Sequence, residues 1–140
     1  MKLIRTLHIT SDEFYDYLEE QLTLDIEKAT SRKVRKIETG LRYSQHGDNQ
    51  FAKIDFRITK YERGHCYELV MKSYTDSTII HYDTCETEDG LKVVFEETIN
   101  DGKKRNKLSQ KFTEALCLSQ RSRTIYDIET AIINKRQQSI

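Results

Sequence analysis

The chain contains no proline. That absence excludes cis-proline turns and polyproline docking segments. Cysteine is scarce and odd in number, three in 140 residues. A closed disulfide framework is therefore not expected, and reduced thiols in a cytoplasmic setting are. Glycine is equally thin. The five glycines, at 40, 47, 64, 90 and 102, stand singly in turn-like surroundings, so neither a P-loop nor a dinucleotide fingerprint is present. No cofactor is implied. There is no excess of either charge, with 23 basic and 23 acidic side chains. A global field that would draw nucleic acid or an anionic membrane is thus missing, although a local patch is not excluded. No apolar run approaches the roughly 20 residues needed to cross a bilayer. The opening MKLIRTLHIT carries Arg5 and alternates like a strand, unlike a signal peptide. Neither membrane insertion nor export is expected.

What remains is 36% hydrophobic and 33% charged residues, enough for one ordinary domain spanning 1–140. Leu3, Leu7 and Ile9 recur at even spacing and read as a half-buried strand, with Arg5 on its inner face near a frayed end. Thr10-Ser11-Asp12-Glu13 matches a capping box, and the acids suit the positive end of a helix dipole. Phe14, Leu18, Leu22 and Ile26 then make one stripe of a helix over 11–29, with a bend near Thr23 that would turn Leu24 inward.

Period-two alternation follows for about seventy residues. Ile37, Thr39, Leu41 and Tyr43 form one face of a second strand, and His46-Gly47-Asp48-Asn49 is turn chemistry. Ala52, Ile54, Phe56 and Ile58 face inward on a third strand; further strands cover 65–74 and 78–87. Leu91, Val93, Phe95 and Ile99 face inward on a sixth. Short connections require antiparallel pairing. After Asn100-Asp101-Gly102, helical spacing returns through Leu108, Phe112, Ala115, Leu116, Ile125, Ile128, Ile132 and Ile133, with a polar waist at 119–123. The expected fold is α+β: a curved antiparallel sheet of about six strands, an N-terminal helix between strands one and two, and a long C-terminal helix covering the apolar face.

That order resembles the helix-grip architecture of START lipid-transfer domains, the birch pollen allergen and polyketide cyclases. The resemblance implies a cavity between sheet and C-terminal helix that often holds an apolar ligand. Two departures stand: six strands where many members have seven, and no glycine-rich loop after the first helix. The run ITSDEFYDYLEEQLTLDIEKATSRK is similar to the opening of a small bacterial family known as domain of unknown function 3284. Members of that family tend to lie near sugar-phosphotransferase genes. The resemblance carries no catalytic residues and implies, as a second reading, an interaction or homodimerising component of sugar uptake or its regulation. An exposed apolar stripe around Ile125 to Ile133 would favour that reading.

The densest gathering of reactive side chains is HCYELVMKSYTDSTIIHYDTC, residues 65–85. His81 and Cys85 share a strand face but stand about 13 Å apart, while His65 and Cys66 point to opposite faces. One tetrahedral metal cannot gather all four, so no metal site is expected. Two hairpin registers are open. A two-residue loop at Thr75-Asp76 sets Cys66 opposite Cys85 but also Glu68 opposite Asp83; a four-residue loop pairs Glu68 with Cys85. Lys103-Lys104-Arg105-Asn106-Lys107 with Lys111 is the densest basic run. Lacking interleaved aromatics and offset by nearby acids, it does not read as a nucleic-acid site.

No nucleophile beside a base emerges, so no catalytic residue is assigned. The expected inner face provides a lining for a small apolar or amphipathic ligand: Tyr43, Phe56, Tyr67, Leu69, Met71, Ile80, Tyr82, Phe95 and Glu97, with Phe112 and Leu116 from the last helix. Ser73 and Thr84 would add polar groups. Glu97, the one acid on that face, reaches solvent at a sheet end, pairs with a base such as Arg5, or, if buried, serves as a general acid or a ligand anchor.

Overall fold

Thr10 opens the first helix by the reciprocal bonding its spacing predicts. Its hydroxyl accepts from the Glu13 amide at 3.1 Å, and the Glu13 carboxylate accepts from the Thr10 amide at 3.0 Å. The structure, a computed structural model, describes residues 1–46, 53–74, 76–100 and 124–138. Helix α1, Ser11–Thr30, is continuous, and Ser31 ends it in the left-handed conformation, its amide returning to the Glu27 carbonyl. The expected bend is absent: Thr23 caps the Glu19 carbonyl at 2.7 Å within the helix, and Leu24 stays 51% exposed.

Six strands form one antiparallel sheet in the order β1-β6-β5-β4-β3-β2. They are β1 Lys2–Leu7, β2 Arg42–Gln45, β3 Ile54–Glu62, β4 Cys66–Lys72, β5 Ser77–Thr87 and β6 Gly90–Asn100. Residues 124–138 are helical and are called α2. The fold is thus α+β, with a helix between the first two strands and another at the C-terminal end. Among the described residues, no helix is long and apolar enough to cross a membrane.

Several sequence expectations change here. Arg5 lies within β1, opposite Val93, rather than at its end. The second strand is shorter than its alternation suggests: Ile37 is buried ahead of it, and Gly40 and Leu41 already bond to Ile58 before β2 begins. The β4–β5 hairpin adopts neither register weighed above. Lys72 pairs with Ser77, Glu68 with His81 and Cys66 with Asp83. Glu68 is thereby placed opposite an imidazole instead of a like charge, and the two thiols are separated. Cys66 and Cys85 are both free. The turn is closed by Ser73 and Asp76, whose side chains bond each other, so Ser73 is not available to a pocket. Gly47 to Ala52, Thr75, Gly102, the basic run at 103–107 with Lys111, Leu108, Phe112, Ala115, Leu116 and the waist at 119–123 lie outside the described residues.

The core falls into two clusters along the inner face. One joins Leu3, Leu7, Leu91, Val93 and Phe95 to Phe14 and Tyr15 of α1 and Ile125 and Ile132 of α2. The other joins Leu22 and Ile26 of α1 to Ile37, Ile58, Tyr67 and Leu69. Ile128 and Ile133 also pack on the first cluster. The isoleucine stripe of α2 therefore faces the core, so it does not supply the exposed surface that would favour self-association.

Ion pairs fasten α2 to α1. Arg136 donates to both Glu13 oxygens, at 2.9 and 2.5 Å, and Lys135 reaches Glu20 at 2.6 Å. The Arg136 bond, helped by the Thr10 amide and opposed by burial, holds the Glu13 carboxyl below its ordinary range. A depressed folded value contributes stability above the unfolded pKa, and that stability is lost as pH falls through the folded one. Acid should therefore release this clasp on the low side of about pH 4. Urea unfolding at about pH 7 and about pH 3 checks it, with Arg136→Ala expected to flatten the difference. Thr10→Ala, which removes the cap alone, should cost about 1 kcal/mol at neutral pH.

Candidate ligand-binding face

Register arranges the inner side chains in rows across the sheet. Tyr43, Phe56, Met71, Thr78 and Ile99 lie successively opposite one another. The next row is Ile58, Leu69, Ile80 and Glu97, and the third is Tyr61, Tyr67, Tyr82, Phe95 and Leu3. All nine described residues of the expected lining share this face. Their burial divides them. Tyr67, Leu69, Phe95 and Glu97 are buried, whereas Tyr43, Phe56, Met71, Ile80 and Tyr82 are half-buried. The row of Tyr43, Phe56 and Met71 is thus the more open part of the face. Phe112 and Leu116 lie outside the described residues.

Two aromatic residues escaped the sequence reading. Tyr61 faces inward because a bulge between Ile58 and Lys60 inserts Thr59 and shifts the alternation by one. No glycine marks that bulge, so periodicity alone could not reveal it. Tyr15 is fully buried on α1, and its spacing to Leu18 and Leu22 was a usable signal. With them, Phe14, Tyr15, Tyr61, Tyr67 and Tyr82 close a ring of aromatic contacts, each centroid 5.2–6.3 Å from the next. Tyr43 stacks on Phe56 at 4.6 Å, which fixes the edge of the open row.

The phenols differ in their bonding. Tyr15 and Thr84 share a buried 2.7 Å hydrogen bond. Tyr61 donates to Glu19 at 2.5 Å, and Arg63 holds the same carboxylate at 2.6 Å and Asp16 at 2.6 Å. By contrast, the hydroxyls of Tyr43 and Tyr67 have no hydrogen-bond partner among the described residues. No fully enclosed polar side-chain atom is left unpaired there, so the Tyr67 hydroxyl touches accessible space. Desolvation pushes the Tyr43 phenol up to about 12 and the Tyr67 phenol well above its ordinary value. The Asp25 charge on α1 adds to both rises. Both phenols stay protonated at neutral pH and serve as donors.

Glu97 is 5% exposed and does not reach water at a sheet end. Register puts Arg5 opposite Val93, four residues along β6 from Glu97. Glu97 adjoins Ile80, and its backbone is tied to Met1 by bonds of 2.9 and 3.0 Å. On the outer face, His81 sits between Glu68 at 3.5 Å and Asp83 at 3.0 Å. Burial and the Asp83 charge push the Cys66 thiol up, which disfavours a reactive thiolate.

A curved antiparallel sheet, an N-terminal helix after the first strand and a C-terminal helix on the core define a helix-grip fold. Solved structures bear this out across the chain's length. The chain is similar to the protein of unknown function SA2116 from Staphylococcus aureus, with TM-score 0.66 at 12% identity, covering 99% of this chain and 94% of that one. It is similar to Ara h 8.0201, with TM-score 0.63 at 10% identity, covering 96% and 97%. It is also similar to Aha1 from Colwellia psychrerythraea, solved as a dimer, with TM-score 0.61 at 12% identity, covering 94% of each. At these identities the likeness is one of fold. The chain belongs to the family described as Domain of unknown function (DUF3284), whose model matches residues 1–118. No curated protein matches it.

Proposed function

We propose that the chain, as a single module over 1–140, binds a small apolar or amphipathic ligand without turning it over. The observation that carries this reading is the half-buried row of Tyr43, Phe56 and Met71, with the hydroxyls of Tyr43 and Tyr67 lacking a hydrogen-bond partner among the described residues. Aromatic and thioether surface takes an apolar body, and an accessible phenol hydroxyl beside it can donate to an acceptor on the ligand. The Tyr43 and Tyr67 donors thus suit a ligand whose polar end carries an acceptor. Lining by apolar side chains with few polar groups is the usual make-up of such sites.

Titration with the uncharged fluorophore N-phenylnaphthylamine tests the reading. Saturable binding is expected, weakened about tenfold by Phe56→Ala or Met71→Ala with little change in folding. Absence of saturable binding, or binding by both variants as tight as that of the unsubstituted protein, would contradict it.

A further inference from the structure

The outer face of β2, β3 and β4 carries a feature that the concave-face reading does not use. Arg42 and Arg57 are directly opposed across β2 and β3. Like charges in that position repel, and a carboxylate partner would normally relieve them. Neither arginine has one: neither makes an ion pair among the described residues. Among the described residues lining the same groove the acid is Asp55, and it is already occupied. It accepts from the Ser44 hydroxyl at 2.6 Å and lies 3.7 Å from Lys53, and both hold its carboxyl below the ordinary range. Lys72 stands opposite Asp55 on β4 and is unpaired as well.

These side chains line a groove of about 580 Å³, which Tyr43, Phe56, Thr59 and Val70 also border. An adjoining hollow of about 570 Å³ shares Arg42 and Ser44 and adds Arg32 and Lys33, which also make no ion pair among the described residues. A chain of zero net charge thus concentrates unneutralised cations at the β2 edge of its sheet.

We propose that this groove is a binding site for a small phosphate monoester. Two guanidinium forks facing each other match a dianionic oxyanion, each fork donating two parallel N–H bonds to its oxygens. Lys72 adds a third charge, so the groove remains net positive after Asp55 is counted. The apolar Val70 and the adjoining hollow leave room for the esterified group. Arg42 and Arg57 alternate with Tyr43 and Phe56 along β2 and β3, so the arginine side chains leave the sheet on the other face, although Tyr43 and Phe56 also border the groove.

Inorganic phosphate is the probe that tests this, followed through the arginine Nε–H signals in NMR, with chloride at matched ionic strength as reference. Phosphate should shift and sharpen the Arg42 and Arg57 signals saturably, and chloride should not. Arg42→Gln and Arg57→Gln should each weaken binding about tenfold or more. Lys92→Gln, an exposed outer-face cation on β6, should leave binding unchanged. Arg57→Lys keeps the charge but loses the fork, and should fall between. Thermal midpoints without phosphate should not drop in the glutamine variants, because each removes a repulsion. Fluorophore binding at the concave face should persist in all of them. Equal phosphate binding in every variant, or chloride shifts as large as phosphate shifts, would overturn the proposal. So would a single-stranded oligonucleotide that binds far more tightly than phosphate and depends equally on Arg32 and Lys33, since that marks a nucleic-acid track.

Discussion

Gly90→Ala is expected to cost about 3 kcal/mol or more, a large share of the stability of an ordinary domain. Gly90 begins β6 at the β5–β6 turn with φ +135°, a backbone conformation that side chains strain to adopt. Space is the larger difficulty. A Cβ there would sit 2.3 Å from the Leu7 carbonyl oxygen and 3.1 Å from its carbon, and both are backbone atoms of β1. Relief requires β1 and β6 to part where Leu7 and Leu91 face each other, both fully buried. Those strands also carry Leu3, Val93 and Phe95, so the damage reaches the first core cluster. Gly40→Ala is the matched control. It too has positive φ, at +95°, but nothing lies within 4 Å of the added carbon. Conformational strain alone, about 1–2 kcal/mol, is expected there. Urea unfolding of both variants checks the difference, and equal losses would show that the β1 contact does not matter.

Phe95→Ala should cost about 3–5 kcal/mol. The ring is 1% exposed, lies 5.0 Å from Tyr82, and faces Leu3 across the β1–β6 pair. Its removal leaves a void that neighbours held by β-ladder bonds cannot fill. This expectation separates two kinds of residue within the proposed lining. Phe95 and Leu69 are buried and should act mainly on stability, whereas Met71 and Phe56 are half-buried and should act mainly on binding. Chemical denaturation of the four alanine variants, set beside fluorophore affinity, displays the division. If all four lost stability and binding in the same proportion, the open row would be ordinary core.

Element order and strand parity were legible in the sequence because each rests on local chemistry. Thr10 and Glu13 announce the helix start, and the alternation in 91–99 announces which side of β6 is buried. Burial of Glu97 followed from that parity alone. The losses occurred where pairing between segments decides the outcome. The bulge at Thr59 turned Tyr61 inward, and nothing in its own residues signals it. The β4–β5 register was settled by Glu68 finding His81, together with a turn closed by Ser73 and Asp76. Likewise Arg42 and Arg57 are fifteen residues apart in the chain, and only the β2–β3 register brings them together. The basic run at 103–107 is denser in sequence, whereas Arg42, Arg57 and Lys72 come together only through strand pairing.

Native mass spectrometry of the protein purified from its own host tests the central claim most directly. A ligand held on the concave face predicts a mass above that of the chain alone, lost on denaturation, with a small apolar or amphipathic molecule recovered in the organic extract. The same measurement on Met71→Ala should show that mass diminished. Protein that carries only its own mass, and takes up no apolar compound when offered, would contradict the account.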